Sequence, residues 1–291
     1  MRVGSGPSVW WAVMEVLVVG GTGFLGRELV GQARNAGHRV TGTYLTRPGE
    51  ISGVQWRALD LRRSVDVRAV LTAVRPGIVI NAAYRKEDWA TTADGAARVA
   101  VAAAHVRARL VHVSSDAVFS GAADRYDETC PPDPTTTYGA AKAAAETTVL
   151  AVDPTSVVAR TSLIIGDGGS PHEARVRALV SGRGDGVLFT DDIRCPVHVT
   201  DLAAAVLELA VSRYGGVHHV AGADAISRYE LGVLIARRDH LDVGRLPTGR
   251  RVDTDPTGPL AVRLDSTATQ QRLRTRLRGA REFMVQGAGR P

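Results

Sequence analysis

The chain has 291 residues, 44% of them hydrophobic and 5% aromatic, with a formal net charge of +6. That length and apolar content bury an ample core, and the only two cysteines, Cys130 and Cys195, support neither a disulfide framework nor a zinc site. The arginines are scattered apart from 245–251 and 272–281 and carry no aromatic stacking pattern, so nucleic acid is not implied, and no run reaches the roughly 18–20 apolar residues of a membrane span.

The run Val9-Trp-Trp-Ala-Val-Met14 passes through Glu15 into a strand and lacks a small-residue cleavage site, so it is no signal peptide. Residues 1–13 read as a disordered leader, with Met14 as the start. Glu15–Val19 is a short apolar run typical of a buried strand. It enters Gly20-Gly-Thr-Gly-Phe-Leu-Gly26, and a helix follows, with Leu25, Leu29, Val30 and Ala33 at helical spacing and Gly37 as its stop. A glycine-rich turn between strand and helix lets a pyrophosphate approach the backbone at a helix N-terminus. The glycine spacing is G-x-x-G-x-x-G, and Gly20, Thr22, Gly23, Phe24, Leu25 and Gly26 are the expected cofactor contacts. The strand Arg39–Leu45 follows, and no acid stands between Arg39 and Gly49 to bind a ribose 2′-hydroxyl. Arg47, just past it, suits a 2′-phosphate, so NADPH is preferred and NADH stays open. In the bland alternative Arg47 is one more solvated arginine. Asp60, followed by Leu61, is placed to read an adenine amino group. The strand Gly77–Ala83 ends in Asn81, Ala82 and Ala83, small enough for a cofactor to lie close.

Further on, Val111-His-Val-Ser-Ser-Asp116 precedes Tyr138-Gly-Ala-Ala-Lys142. A phenol has an ordinary pKa of about 10 and needs help to act near neutral pH. An ammonium four residues away on one helix face lowers it, and a serine hydroxyl from a neighbouring strand can hold a carbonyl oxygen beside it. Lys142 shares the chain with one other lysine, Lys86, so charge alone does not explain its choice. Ser115, Tyr138 and Lys142 are therefore the catalytic candidates. Strands alternate with Ala-rich helices through about residue 165, which reads as an α/β doubly wound parallel sheet of Rossmann type. Residues 14–165 form the dinucleotide-binding domain. Residues 166–291 form mainly a small C-terminal substrate-binding lobe, with some segments returning to the first domain. The cysteine usage suits a reducing cytosol, hence a cytoplasmic protein.

Together, Gly20–Gly26, Val111-His-Val-Ser-Ser-Asp-Ala-Val-Phe-Ser-Gly121, Asp127-Glu-Thr-Cys-Pro-Pro-Asp-Pro134, Tyr138–Lys142 and Pro196-Val-His-Val-Thr-Asp-Leu-Ala203 resemble the dTDP-4-dehydrorhamnose reductase family, a branch of the extended short-chain dehydrogenases. The resemblance runs from about residue 15 to about 285. It implies reduction by NADPH of a ketone, C4 of a nucleotide-linked 4-keto-6-deoxysugar. In that mechanism Tyr138 donates the proton, Lys142 binds the nicotinamide ribose and Ser115 polarises the carbonyl. It adds Thr161 to the cofactor contacts and Tyr84, Asp116 and Arg194 to the substrate contacts, Arg194 as a clamp on the diphosphate. The expected partner is thus a nucleotide sugar, with no metal, no nucleic acid and no membrane, and with a homodimer open.

Plain alternatives stand beside these roles. Ser115 can cap a strand end, Asp116 a following turn, and Arg194 can be solvated. His198 reads as structural and Asp201 as the N-cap of a helix Leu202–Val211. The chain departs from the family at Arg160-Thr-Ser-Leu163, where relatives carry a Trp, at Asp94 and Gly95 in place of an Asn, and at Arg194-Cys-Pro196. Two other readings share the fold. One is a non-catalytic NADP-binding regulator or sensor resembling the regulatory subunit of methionine adenosyltransferase. The other is a sugar-nucleotide epimerase or dehydratase, disfavoured because Ala117 stands where a dehydratase has its second carboxylate.

Overall fold

The computed structural model describes residues 13–254 and 258–286, so the expected leader lies outside the described residues up to residue 12. Seven strands form one sheet: β1 (Glu15–Val19), β2 (Arg39–Tyr44), β3 (Gln55–Ala58), β4 (Ile78–Asn81), β5 (Arg109–Ser115), β6 (Val157–Thr161) and β7 (Gly216–His219). Their order is β7-β6-β5-β4-β1-β2-β3 and every neighbouring pair is parallel.

Side chains alternate across β1. Val16 and Val18 join one apolar layer, and Leu17 and Val19 join the other. Burial on both faces is why the central strands read as continuous apolar runs. Helices α1 (Phe24–Asn35) and α6 (Val199–Val211) cover the first face through Leu25, Leu29, Leu202 and Leu209. The second face is covered by α2 (Ser64–Val74), α3 (Gly95–His105) and α4 (Thr137–Val152) through Leu71, Val99 and Val149. A π-helical turn, Ala90–Asp94, leads into α3.

A smaller core joins α5 (Pro171–Val180), α7 (Arg228–Arg238) and α8 (Ala280–Gln286) through Val176, Leu179, Leu231, Ile235, Phe283 and Met284. Helix α5 opens on a capping box between Ser170 and Glu173 with Pro171 in its first turn, the arrangement that satisfies orphan amides at both positions. Segments of the second half also return to the sheet: β7 extends it beyond β6, and α6 packs beneath α1. Among the described residues, no helix is long and apolar enough to cross a membrane. The strand order reverses between β1 and β4, so the chain leaves their carboxyl ends in opposite directions and opens a crevice there.

Candidate active site

The crevice is lined first by the glycine turn. Gly20 has φ +81°, and a Cβ added there would meet Ala83 backbone atoms at 2.9 Å, so the turn lies directly on the end of β4. A Cβ at Gly26 would fall 2.0 Å from the Gly20 carbonyl oxygen, so only glycine lets α1 start this close to β1. Helix α1 is capped by Gly23 with no side-chain cap hydrogen bond, and its first turn contains no acid. The amides of that turn, including Phe24 and Leu25, thus keep donors for an anion, which fits a pyrophosphate. Thr22 is half-buried at the tip.

Beside the turn, the Asn81 carboxamide accepts from the Ala83 amide at 3.2 Å, which fixes the small-residue end of β4. Arg47 is exposed beyond β2, and its loop is pinned by the Trp56 ring, which lies 2.3 Å from a Cβ added at Gly49. Asp60 is held by Arg62, whose guanidinium lies 2.7 Å away, and that hydrogen bond brings its carboxyl to about 2. Leu61 is buried against the start of α3, where a Cβ on Gly95 would lie 2.8 Å from the leucine Cβ.

Strand β5 delivers Ser115 to the same end of the sheet. Its hydroxyl accepts from the Ala117 amide at 3.2 Å and so caps the turn Asp116–Val118. Thr136 caps α4 by accepting from the Gly139 amide at 3.1 Å, which puts Tyr138 in the first turn and Lys142 one turn on. The rings of Tyr84 and Tyr138 are 5.8 Å apart, and the Lys142 ammonium lies 5.3 Å from the Tyr84 ring. The Ser115 hydroxyl lies near enough to the phenol to favour its ionised form. Ser115, Tyr138, Lys142 and Tyr84 are therefore brought together.

The electrostatics correct one expectation. Burial above all, then Tyr84 and the Asp116 carboxylate, push the Tyr138 phenol above its ordinary value, and Ser115 alone pulls it down. The net direction is thus upward, and the Lys142 ammonium, one turn along the helix, is hydrogen-bonded to the Val113 carbonyl at 2.9 Å. Burial brings Lys142 itself down to about 8, with Glu146 opposing. Behind this lysine, Glu146 and Arg160 form a buried ion pair at 2.8 Å, and the Glu146 carboxylate also accepts from Ser114 at 2.5 Å. Thr161 is buried at the end of β6 with no hydrogen-bond partner for its hydroxyl.

Asp116 is buried and accepts from Ser162 at 2.6 Å and from Ser115 at 3.2 Å. Arg194 does not match a clamp on a diphosphate, nor a solvated arginine. It is 5% exposed, and its guanidinium is committed to Asp192 at 2.7 Å and to the carbonyls of Ile193, Leu260 and Pro259. Asp201 is not the cap of α6. That role falls to His198, whose Nδ1 accepts from the Thr200 amide at 3.3 Å, while Asp201 pairs with Arg278 at 2.8 Å.

A basic cleft escaped the reading of the sequence. It encloses about 340 Å³ between α5 and α7 and is lined by Lys86, His172, Arg175, Asp192, Arg228 and Arg251, among apolar side chains. Burial, then Arg228, brings His172 down to about 4, so it adds no charge at neutral pH. These residues are spread over most of the chain, and no local pattern joins them. Among the described residues, no group of three or more His, Cys, Asp or Glu side chains could hold a metal ion.

Residues 14–284 match the family model described as RmlD substrate binding domain. A probable dTDP-4,6-dihydroxy-2-methyloxan-3-one 4-ketoreductase of Streptomyces antibioticus is 34% identical over 251 residues, covering 80% of each chain. A dTDP-4-dehydrorhamnose reductase of Mycobacterium tuberculosis is 34% identical over 233 residues, covering 74% of this chain and 72% of that one. The solved structure of dTDP-4-dehydrorhamnose reductase from Bacillus anthracis, in complex with NADP, superposes with a TM-score of 0.80 at 24% identity, covering 94% of this chain and 97% of that one.

Proposed function

Because the chain belongs to the RmlD substrate binding domain family, we propose that it is an NADPH-dependent oxidoreductase that reduces C4 of a dTDP-linked 4-keto-6-deoxysugar. The observation that carries this reading is the meeting of Ser115, Tyr138 and Lys142 beside the glycine turn and at the carboxyl end of the sheet. The two curated relatives, named as a ketoreductase and a reductase of dTDP sugars, support the substrate class. The NADP in the Bacillus anthracis structure supports the cofactor, with NADH open.

The nicotinamide cofactor, when bound, supplies the hydride to the ketone carbon. The first-turn amides of α1 would hold its pyrophosphate, and Arg47, exposed beyond β2, would hold a 2′-phosphate. The chain's own residues handle the oxygen. Ser115 donates to the carbonyl, and the Tyr138 phenol, held protonated by burial, gives its proton to the alkoxide oxygen as charge develops there. Lys142, charged below about pH 8, offers an ammonium to the ribose and to the phenolate left behind. The lobe built from α5, α7 and α8 is the substrate-binding unit. In its cleft Lys86, Arg175, Arg228 and Arg251 suit the diphosphate, a task that Arg194 cannot perform directly. Tyr84, 57% exposed beside Tyr138, forms a wall for the sugar. Free Cys130 and Cys195 accord with a cytosolic setting.

The test is NADPH oxidation with dTDP-4-keto-6-deoxysugars, run beside Tyr138→Phe. The variant is expected to lose at least about a thousandfold in kcat, in line with a positioned acid, while its NADPH affinity stays within twofold. Equal turnover by Tyr138→Phe would refute the assignment of the proton donor.

A further inference from the structure

One buried carboxylate stands between the basic cleft and the reacting centre. Asp192 is 4% exposed and pairs with three guanidiniums: Arg194 at 2.7 Å, Arg228 at 3.2 Å and Arg251 at 3.5 Å. Arg228 and Arg251 line the cleft. Arg194 points the other way, with its Nε 3.6 Å from Asp116. Asp116 in turn accepts from Ser115, the residue beside the Tyr138 phenol. The string cleft–Asp192–Arg194–Asp116–Ser115 is continuous, and its three middle members are nearly free of solvent.

A purely structural knot would need no open end. Here two of the arginines on Asp192 also face a cleft suited to an anion, and Arg228 reaches His172 there at 3.4 Å. At the other end, the Arg194–Asp116 contact is too long for a hydrogen bond, and so is the adjustable joint of the string. Arg194 is otherwise fixed by three backbone carbonyls, so a change in its hold on Asp192 is passed to Asp116 rather than dissipated in side-chain motion.

We propose that Asp192 and Arg194 are positioning residues that couple occupancy of the basic cleft by the substrate's diphosphate to the placement of Asp116 and Ser115 at the ketone. This rests on the reading of the cleft as the diphosphate site. Diphosphate oxygens compete with Asp192 for Arg228 and Arg251. The carboxylate then turns its full charge to Arg194, which slackens the guanidinium's pull on Asp116 and leaves that acid to the sugar hydroxyls, so that the single proton of Ser115 is released from Asp116 to the carbonyl. Binding at a remote group of the substrate is thereby converted into alignment where the hydride arrives.

Asp192→Asn keeps the volume and removes the charge. Three quantities test it: dTDP affinity by calorimetry, NADPH affinity by fluorescence titration, and kcat with a dTDP-4-keto-6-deoxysugar. The expected result is a kcat lower by at least about tenfold, with NADPH affinity unchanged and dTDP affinity unchanged or tighter, since a competitor for the arginines is gone. Arg194→Lys keeps the charge but loses the planar fork, and it is expected to show the same split if Asp192→Asn does not fold. A kcat within twofold of wild type in both variants would overturn the coupling. So would a loss of dTDP affinity in proportion to kcat, which is the mark of a structural knot. Failure of dTDP to bind the wild-type protein is a separate outcome, and it would remove the diphosphate reading of the cleft together with the coupling.

Discussion

Gly139, the residue after Tyr138, sits where α4 crosses the turn that follows Ser115. A Cβ added there would lie 2.0 Å from the Ala117 carbonyl oxygen, 2.9 Å from the Pro134 Cβ and 3.0 Å from the Ala117 carbonyl carbon. None of these can rotate aside, because two belong to backbone and the third to a proline ring. A carbon needs about 3.3 Å from a carbonyl oxygen, so Gly139→Ala forces α4 and the Asp116–Val118 turn apart by about 1.3 Å. Ala117 is two residues from Ser115 and Gly139 is next to Tyr138, so the wedge opens directly between hydroxyl and phenol. A misplacement of about 1 Å costs roughly a hundredfold in rate, and that is the expected fall in kcat. The overpacking costs about 1–3 kcal/mol, at roughly 2–4 °C of Tm per kcal/mol for a chain of this size. The glycine turn that holds the cofactor is untouched, so NADPH affinity is expected to stay within twofold. Stopped-flow NADPH oxidation, fluorescence titration and a thermal melt on one preparation check all three numbers. A folded Gly139→Ala protein with wild-type kcat would refute the claim that the Ser115–Tyr138 spacing is set by this contact.

Three further outcomes follow from the site. Arg160→Met strands the Glu146 carboxylate, 3% exposed, beneath Lys142 and is expected to cost about 3–5 kcal/mol by denaturant titration; adding Glu146→Gln is expected to recover part of it, and no recovery would show that the pair is not the cause. The Lys142 ammonium has its pKa lowered to about 8, so it is charged below that pH and loses its proton as pH rises through it; kcat/KM is expected to fall on the alkaline side around pH 8, and a profile flat to pH 9.5 would contradict the role of the charge. Arg47→Ala removes a charge-assisted contact of about 1.5–3 kcal/mol and is expected to raise KM for NADPH about tenfold or more while KM for NADH moves less than twofold; equal shifts for both cofactors would place the 2′-phosphate elsewhere.

Where the physics is local, the sequence was legible. The run Glu15–Val19, the glycine spacing and the Leu25–Ala33 stripe are consecutive, and the strand, turn and helix formed as their periods require. Tyr138 and Lys142 share a face because they are four residues apart on a helix that Thr136 caps. The upward direction of the phenol was not legible, because it depends on burial by residues distant in the chain. Nor was the fate of Arg194. Nothing in Ile-Arg-Cys-Pro indicates that three carbonyls and an aspartate wait for its guanidinium. The choice of His198 over Asp201 as a cap was missed for a subtler reason. The helix begins one turn earlier than its acidic residue suggests, and Asp201 is drawn off by Arg278 from the far end of the chain. The basic cleft, assembled from side chains of residues 86 to 251, could appear only once the lobe had folded over the sheet.

The return of β7 to the edge of the sheet has a bearing on how the chain is made. Residues Val157–Arg160 of β6 pair with Gly216–His219, and the ribosome must add about 55 residues after Thr161 before that partner begins to exist, roughly 3–11 s at ordinary elongation rates. Throughout that interval an apolar strand, rich in valine, presents an open ladder of amides and carbonyls to every other nascent chain nearby. The speed with which the codons after Thr161 are read therefore sets how long each new copy remains adhesive.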